Sequence, residues 1–421
     1  MSEAHLVALA TAASTAKHAA AEPAAALTTA SLPEEPPLVL MLSMAHPPED
    51  IRIVRKEGAS LAKAGWRVRH LCPDLASSNR RADTARAALE GVAIETFARR
   101  PGWRGRLAAL PGLIRAAAAS RARVIHAHEP DSWLAAIIAG WWSGARVVID
   151  VHEHYPSRLD TRLPRALRPV SRAVMRGFCR LAGLAADAVV VARQDLARDF
   201  FRPSRAVSAR NHALPSDTAP RAHAAGPLTL VHVGVLGRTR GVFQMLDTLA
   251  LCPPGTRLRL IGRITDGSGA EFHARAEAMG LADRIEDGGW VAQEALPAEV
   301  ARADIGLVLF QPVDINHRLA LPHKLFDCML AGLPVIAPDF APETAAVVHE
   351  ADCGLLVDTA DSAAIAAAVA QLADPALRAR LGANGRRAAL ARFGWPEEAK
   401  HLLALYQRLA PLPVAPKGER A

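Results

Sequence analysis

Residues 321–340, LPHKLFDCMLAGLPVIAPDF, contain the pair of side chains best suited to bind a charged ligand that carries hydroxyls. Pro322 suits the first turn of a helix, which places Lys324 near the positive N-terminal end of that helix. The helix dipole does not stabilise a lysine at this end, but the lysine and the helix N-terminus together can bind a phosphate. Asp327, three residues on, can accept hydrogen bonds from two ribose hydroxyls. Two interpretations stay open: a nucleotide site, or a structural Lys324–Asp327 ion pair that contributes little to stability.

A second candidate is the turn GVLGRTRG at residues 234–241. Glycines such as Gly234 allow close backbone approach, the helix that follows offers free N–H groups, and Arg238 and Arg240 add positive charge. The turn is neither GxGxxG nor a Walker motif. Taken alone, it therefore favours a structural turn over a phosphate site.

The N-terminal half supplies polar side chains just after apolar runs that read as strands. Ligands of open parallel sheets bind beyond the carboxyl ends of the strands, so these positions are site candidates. His46 and Asp50 follow the first such run, and His152 and Glu153 follow RVVIDV. A neutral His152 could donate a hydrogen bond to a sugar hydroxyl or a phosphate. His126 alternates into the sheet and is interpreted as packing.

Near-continuous apolar strands alternate with amphipathic helices, which predicts α/β domains with parallel, doubly wound sheets facing a cleft. The predicted boundaries are an N-terminal domain over 37–213, a connection over 214–227, a C-terminal domain over 228–389 and a last helix over 390–410. Residues 1–36, rich in Ala, Ser, Thr and Pro, are predicted to be a disordered leader without a secretory signal, and 411–421 a loose tail.

Composition limits the function classes. The chain has 421 residues, 51% hydrophobic and 22% charged, which is typical of a globular protein. No apolar run reaches the length of a membrane span, and WLAAIIAGWW is predicted to be a buried helix. Five widely spaced cysteines without CxxC favour reduced thiols in a cytoplasmic protein over disulfides or a zinc site.

The net charge of +8 is concentrated in two stretches of the N-terminal half. Residues 99–123 hold seven Arg and no acid, and residues 158–180 hold seven Arg and one acid, so the rest of the chain is at −5. A helical row of arginines is predicted at Arg165, Arg168, Arg172, Arg176 and Arg180. Such stretches could bind anionic lipid headgroups on the inner face of the cytoplasmic membrane. Equally, they could form a basic surface that contacts only solvent. Nucleic-acid binding is not expected, because aromatic residues on which bases could stack are not interleaved with the arginines, apart from Trp103. No nucleic-acid recognition motif accompanies the arginines either.

In fixed order across both halves, these motifs resemble retaining glycosyltransferases of family 4, the glycosyl transferases group 1. The similar segments include HPPEDIRIVRKEGASLAKAGWRV, VVIDVHEHYP, VHVGVLGRTRGVFQML, LPHKLFDCMLAGLPVIAPDF and FGWPEEAKHLLALYQRL. The resemblance implies the GT-B fold, in which two Rossmann-like domains face each other and a C-terminal helix crosses back to the first. It also implies retaining, metal-independent hexosyl transfer from a nucleotide diphosphate sugar to a lipid-linked or polysaccharide acceptor, with no cofactor.

The resemblance also implies roles for individual residues. The implied catalytic residues are His152, Arg240 and Lys324. The implied donor-binding residues are Gly234, Arg238, Arg240, Lys324 and Asp327, and the implied acceptor-side residues are His46, Asp50 and Glu153. Arg240 and Lys324 would contact the diphosphate, Asp327 the ribose and His152 the donor sugar.

The chain departs from the family pattern at three positions. Asp327 replaces the usual Glu, Leu319 stands where the first carboxylate of an E-x7-E pair would fall, and Val235 replaces an arginine. Asp314 or Asn316 could compensate for Leu319. These departures leave two alternatives open beside transfer, a nucleotide-sugar epimerase of the same architecture and a degenerate protein that only binds nucleotide sugars.

Overall fold

The computed structural model describes residues 35–74, 88–98, 102–160, 162–201, 203–313 and 315–413. Residues 1–34 of the predicted leader and 414–421 of the predicted tail lie outside these ranges. Within them the chain forms two parallel sheets, each covered by helices on both faces. The predicted α/β class with two Rossmann-like sheets is confirmed.

The N-terminal lobe is built on the first sheet, whose strand order is β3-β4-β2-β1-β5-β6-β7-β8. All neighbouring strands are parallel except the short pair β3–β4. Its strands are β1 Leu38–Leu42, β2 Arg67–Asp74, β3 Ala88–Leu89, β4 Val92–Ala98, β5 Val124–Ala127, β6 Arg146–Val151, β7 Ala188–Val191 and β8 Val207–Ser208. The helices of this lobe are a π-helix Ile51–Gly58, α1 Ala59–Ala64, α2 Gly102–Ala119, α3 Pro130–Ser143 and α4 Arg168–Ala185.

The C-terminal lobe is built on the second sheet, with the strand order β11-β10-β9-β12-β13-β14, all parallel. Its strands are β9 Thr229–Val233, β10 Arg257–Ile261, β11 Ile285–Gly289, β12 Ile305–Leu307, β13 Val335–Pro338 and β14 Gly354–Val357. The helices are α5 Val242–Leu251, α6 Gly269–Ala278, α7 Leu296–Val300, α8 Ile315–Arg318, α9 His323–Leu330, α10 Pro342–Ala351, α11 Ser362–Gln371 and α12 Pro375–Ala391.

The last helix, α13 Trp395–Leu409, returns to the N-terminal lobe, as the GT-B resemblance implied. It shares a buried cluster with β1, β2 and the π-helix, to which it contributes Leu402, Leu405 and Tyr406. Polar bonds reinforce this packing, because the indole N–H of Trp66 donates to the carbonyl of Ala410 over 2.8 Å. The N-terminal lobe therefore completes its core with the last helix of the chain.

Several polar side chains are buried inside the N-terminal lobe. His126 was interpreted as packing, and it is fully buried, but its Nδ1 also lies 2.8 Å from the hydroxyl of Tyr406 in α13. The helix α3 was predicted to be buried. Trp133 in this helix is buried, whereas Trp141 and Trp142 at its end are exposed. All five cysteines are buried and free, in agreement with their prediction as reduced thiols.

Helix α4 differs from the predicted arginine-lined surface. It begins at Arg168, so Arg165 lies in the preceding 3-10 turn Arg165–Leu167. Arg172 and Arg176 are ion-paired with Asp160 and Asp199, which neutralises part of the row. A second face of this segment is exposed and apolar. Its members, all 53–68% exposed, are Leu167, Val170, Val174, Leu181 and Leu184, here called the apolar strip.

Candidate active site

A cavity of about 520 Å³ lies between the lobes, at the carboxyl ends of both sheets. The N-terminal lobe contributes His152, Glu153, Arg158 and Arg193 to its lining, and the C-terminal lobe contributes Gly234, Arg240, Lys324 and Asp327. The structure thus brings together six of the sequence-predicted site residues: His152, Glu153, Gly234, Arg240, Lys324 and Asp327.

Two cations meet at one corner of this cavity. The guanidinium of Arg240 and the ammonium of Lys324 each lie 5.5 Å from the centre of the Phe310 ring. Arg240 ends the 3-10 turn Arg238–Arg240 that precedes α5, and Lys324 lies in the first turn of α9. Both side chains therefore reach one corner from two helix beginnings, where the helix dipoles add positive potential.

Glycine is required at the strand ends beside these cations. Gly234 follows β9 with φ of +90°, and Gly262 follows β10 with φ of +147°. A Cβ on Gly262 would lie only 1.9 Å from the carbonyl oxygen of Gly234. The two turns approach each other so closely that a side chain at Gly262 is excluded, which leaves backbone groups at this wall of the cavity.

Lys324 is buried against a histidine that the sequence did not reveal. Its Nζ lies 2.7 Å from Nε2 of His232, a buried residue of β9. Burial, and then the charge of Arg240, hold the pKa of Lys324 well below its usual value. Burial and the neighbouring Lys324 lower the pKa of His232 as well. An anion bound beside Lys324 would favour its charged form and offset these shifts.

Asp327 lies at the wall between this cavity and a smaller one of about 230 Å³. The smaller cavity holds Lys56, whose Nζ donates to the carbonyl of His212 over 2.5 Å and lies 3.1 Å from Nδ1 of His323. Burial raises the pKa of Asp327, against the opposing charges of Lys56 and Lys324. Burial lowers the pKa of Lys56, against the opposing charge of Asp327. A lysine of the N-terminal lobe is thus electrostatically coupled to the predicted ribose-binding carboxylate.

His152 is held by a buried carboxylate two residues before it. Its Nε2 lies 2.9 Å from Oδ2 of Asp150, and Nδ1 of His128 lies 3.2 Å from the same oxygen. Arg52 binds both oxygens of Asp150, each over 2.8 Å. Although burial raises the pKa of Asp150, Arg52 and the histidines hold it well below the usual value. The ionised Asp150 therefore fixes the orientation of the His152 ring.

The surroundings of Asp150 also have the composition of a metal site. Glu57, His126, His128 and Asp150 place one potential ligand atom each within 4.8 Å of one another. The guanidinium of Arg52, however, lies 2.8 Å from Asp150 and 3.1 Å from Glu57. Burial and the charge of Asp150 raise the pKa of Glu57 well above its usual value. A cationic side chain already occupies this cluster, so we interpret it as an arginine-centred network.

His46 and Asp50 do not line the large cavity, although they lie beside it. Nδ1 of His46 is 2.8 Å from Oδ2 of Asp50, and the His46 and His152 rings meet edge to face at 4.9 Å. Burial lowers the pKa of His46, but the hydrogen bond and charge of Asp50 outweigh it and raise that pKa to about 9. Asp50 also caps the π-helix by accepting from the N–H groups of Arg52 and Ile53.

Arg238 is the predicted donor-binding residue that the structure places elsewhere. Its guanidinium pairs with Glu271, lies over the ring of Phe243 and is absent from the cavity lining. Residues two apart in a 3-10 turn point in different directions, so Arg240 faces the cavity while Arg238 faces solvent. Glu153 lines the cavity with its carboxylate 2.7 Å from Nε of Arg158.

Sequence reasoning missed several residues in or beside the cavity, among them Lys56, Asp150, Arg193, His232 and Trp290. Lys56, Asp150 and His232 lie inside apolar helical or strand patterns, where polar residues read as exposed faces or incidental packing. Arg193 follows β7 and could have been found by the same strand-end rule that selected His152. Trp290 follows β11, a strand that the pattern of apolar runs did not identify.

Comparisons with known proteins agree with this architecture. Residues 51–250 match the model of the glycosyl transferase 4-like domain, and residues 216–388 match that of the glycosyl transferases group 1. A D-inositol 3-phosphate glycosyltransferase from Xylanimonas cellulosilytica is 29% identical over 70% of this chain and 77% of its own length. A phosphatidyl-myo-inositol mannosyltransferase from Mycobacterium leprae is 30% identical over 41% of this chain and 44% of its own. The chain thus spans less than half of that relative.

Solved structures resemble the fold over nearly the whole chain. Sucrose-phosphate synthase from Thermosynechococcus elongatus superposes with a TM-score of 0.70 at 22% identity, over 89% of this chain and 99% of its own. HepE from Anabaena, solved in complex with UDP, superposes with a TM-score of 0.64 at 18% identity, over 88% of this chain and 99% of its own. The two family matches show that the chain contains a glycosyl transferase 4-like domain followed by a glycosyl transferases group 1 domain, and the solved structures show that these domains form the GT-B fold.

Proposed function

We propose that this protein transfers a hexosyl group from a nucleotide diphosphate sugar, with retention at the anomeric carbon, in glycan synthesis. One observation carries the proposal: Arg240 and Lys324 reach the same corner of the interlobe cavity from two helix beginnings. Charge builds on the leaving diphosphate during transfer, and two fixed cations stabilise that charge more in the transition state than in the ground state. The relatives named above and HepE, solved with UDP, support a nucleotide sugar as donor.

The remaining cavity residues receive roles by position. Asp327 would accept hydrogen bonds from the ribose, and His152, oriented by Asp150, would contact the donor sugar near the reacting carbon. His46, Asp50 and Glu153 would act on the acceptor side. Because Arg240 and Lys324 supply the positive charge, we propose that transfer requires neither a metal ion nor a cofactor, so EDTA should leave turnover unchanged.

A lipid-linked or polysaccharide acceptor at the inner face of the cytoplasmic membrane is the second part of the proposal. The apolar strip of α4 and the exposed Trp103 support a peripheral contact with the bilayer, flanked by arginines. Among the described residues, no helix is long and apolar enough to cross a membrane. Flotation with anionic and neutral liposomes tests this part, and salt-insensitive or absent binding would refute it.

The donor site is tested by thermal shift against UDP, GDP and ADP, which also identifies the base. Arg240→Gln and Lys324→Ala should lose the shift, whereas Arg238→Gln is a matched control because Arg238 faces solvent in the same turn. An equal loss in Arg238→Gln, or a full shift in Lys324→Ala, would contradict the proposed site.

Turnover separates transfer from the two alternatives. With labelled donor and membrane extract, a transferase yields a new glycan, and NMR of its anomeric carbon tests retention. An epimerase converts the donor without an acceptor. Nucleotide binding with neither transfer nor donor hydrolysis would favour a degenerate binding protein, as Leu319 and Asp327 allow.

A further inference from the structure

Asn211 lies where the chain leaves the N-terminal lobe, and it lines both the large interlobe cavity and the smaller cavity beside it. The backbone is held on both sides of this residue. The carbonyl of Ala209 accepts from Nη1 of Arg52 over 2.6 Å, and the carbonyl of His212 accepts from Nζ of Lys56 over 2.5 Å. The position of Asn211 is therefore set by the N-terminal lobe itself.

The guanidinium of Arg52 determines which way the side chain of Asn211 points. Its Nε and Nη2 donate to the two oxygens of Asp150, and its Nη1 donates to Oδ1 of Asn211 over 3.2 Å. A guanidinium has N–H donors and no acceptor, so only the amide oxygen of Asn211 can face it. The Nδ2 group, with its two N–H donors, is consequently turned away from Arg52.

These two N–H donors are directed toward ligand and solvent. Asn211 is half-buried, and within the part of the chain that the structure describes no acceptor takes a hydrogen bond from its Nδ2. A side chain that offers a cavity only donors matches a ligand group that only accepts. The oxygens of a diphosphate are such acceptors, whereas the hydroxyls of a sugar both donate and accept.

Arg52 also connects Asn211 to the proposed sugar contact, His152. Asn211 and Asp150 bind the same guanidinium, and Nε2 of His152 lies 2.9 Å from Oδ2 of Asp150. Asn211 and His152 therefore line the large cavity as members of one hydrogen-bonded network. In a nucleotide diphosphate sugar the anomeric carbon is bonded to the β-phosphate, so a group beside the sugar contact also lies beside that phosphate.

We propose that Nδ2 of Asn211 donates a hydrogen bond to an oxygen of the donor's β-phosphate, on which Arg240 and Lys324 act from the C-terminal lobe. This inference rests on the proposed glycosyl transfer and adds a contact from the segment that joins the lobes. The β-phosphate departs with the nucleotide, and a fixed N–H donor stabilises the charge that builds on its oxygens. The competing roles are a contact with a sugar hydroxyl and a purely structural bond with Arg52.

Two variants isolate the N–H donors of Asn211. Asn211→Asp keeps the size of the side chain and an oxygen for Arg52, but replaces the N–H donors with a second acceptor. Asn211→Leu is similar in size and adds no charge, but neither donates nor accepts. The loss of the N–H donors is common to both variants. Gln407→Glu and Gln407→Leu, at an exposed position of α13, are the matched controls.

The probes are UDP and UMP, or the guanine or adenine pair if thermal shift selects that base, and titration calorimetry measures both affinities. UMP lacks the β-phosphate, so the ratio of the UDP affinity to the UMP affinity reports contacts with that group. In both Asn211 variants we expect this ratio to fall by about 10-fold, because a hydrogen bond to a charged group is lost. In both Gln407 variants the ratio should equal that of the wild type.

An unchanged ratio in Asn211→Asp would overturn the inference. It would mean that the side chain contributes only an oxygen to Arg52, or that its partner is a hydroxyl, which can donate to a carboxylate. An unchanged ratio in folded Asn211→Leu would overturn it as well. Thermal melting without ligand verifies folding. If Asn211→Leu does not fold, a loss in Asn211→Asp that vanishes at about 1 M NaCl would assign that loss to charge repulsion and overturn the inference.

The two proposals fail distinguishably. Wild-type protein that gives no shift with any nucleoside diphosphate contradicts the proposed donor site, and the Asn211 contact with it. Wild-type protein with a normal nucleotide shift, and with an affinity ratio that neither Asn211 variant changes, contradicts the contact alone.

Discussion

The ammonium of Lys56 lies 3.1 Å from Nδ1 of His323, which joins the π-helix of the N-terminal lobe to the helix α9 that carries Asp327. Lys56 is almost completely buried, and its charge opposes the rise in the pKa of Asp327 that burial causes. The N-terminal lobe thereby influences the ionisation of a carboxylate in the donor site of the other lobe.

Replacing Lys56 should reduce recognition of the ribose. Without the ammonium the pKa of Asp327 rises further, and a protonated carboxyl accepts hydroxyl hydrogen bonds less well. In Lys56→Met, we expect the affinity ratio between a nucleoside diphosphate and its 2′,3′-dideoxy form to fall by about 5–10-fold at neutral pH. Titration calorimetry with both nucleotides measures it. Lys400→Met, at an exposed position of α13, is the control, and an unchanged ratio in Lys56→Met would show that Lys56 is merely structural.

Lys324 should take up a proton when a diphosphate binds. Its pKa is held well below the usual value by burial and by Arg240, so the free site favours the charged form of this lysine less than an exposed position would. An anion at this corner raises that pKa and draws in up to about one proton. Calorimetry in buffers of different ionisation enthalpy measures the uptake, which Lys324→Met should abolish. Proton release, or an uptake that persists in the variant, would contradict the assignment.

Asp150→Asn should impair turnover more than nucleotide affinity, because Asp150 orients the ring of His152 but does not line the cavity. The same change leaves Arg52 facing a neutral partner and should cost about 3 kcal/mol of unfolding free energy. Comparison with His152→Gln and the double variant tests the coupling. If the two losses in turnover multiply in the double variant, Asp150 does not act through His152.

The His46–Asp50 pair should make stability depend on alkaline pH. The pKa of His46 in the folded protein, about 9, exceeds the unfolded value of 6.5, so the stabilisation is complete below pH 6.5 and lost as pH rises through 9. After allowance for partial exposure we expect about 1–2 kcal/mol. Urea unfolding at both ends of this range measures it. His46→Gln should flatten the profile, whereas His273→Gln, an exposed residue of α6, should not.

Strand segments and helix beginnings were predictable where one local rule dominated. Pro322 and the apolar runs placed Lys324 at the beginning of α9, and the strand-end rule brought His152 to the cavity. The rule did not distinguish Arg238 from Arg240, because only the turn's own geometry separates them. Four of the five arginines predicted to share a helix face lie in α4, whereas Arg165 lies in the turn before it. The ion pairs of Arg172 with Asp160 and of Arg176 with Asp199 form between segments that fold together, so the periodicity of one helix could not reveal them.

Lys56 and Asp150 were beyond sequence reasoning for a different reason. Each is buried by residues distant along the chain: His212 and His323 contact Lys56, and Arg52 contacts Asp150. A polar residue inside an apolar pattern has no local signature that separates an exposed face from a buried network. Only the tertiary arrangement supplies that distinction.

The return of α13 to the first lobe has a consequence for how the chain is made. Tyr406 and Leu402 fill a core whose members in β1, β2 and the π-helix are translated more than three hundred residues earlier. On the ribosome the N-terminal sheet therefore keeps one face only partly covered, by the π-helix and α1, until the end of the chain has been synthesised. Its apolar surface is then a natural client for chaperones, and a nascent chain halted before residue 395 would expose it permanently.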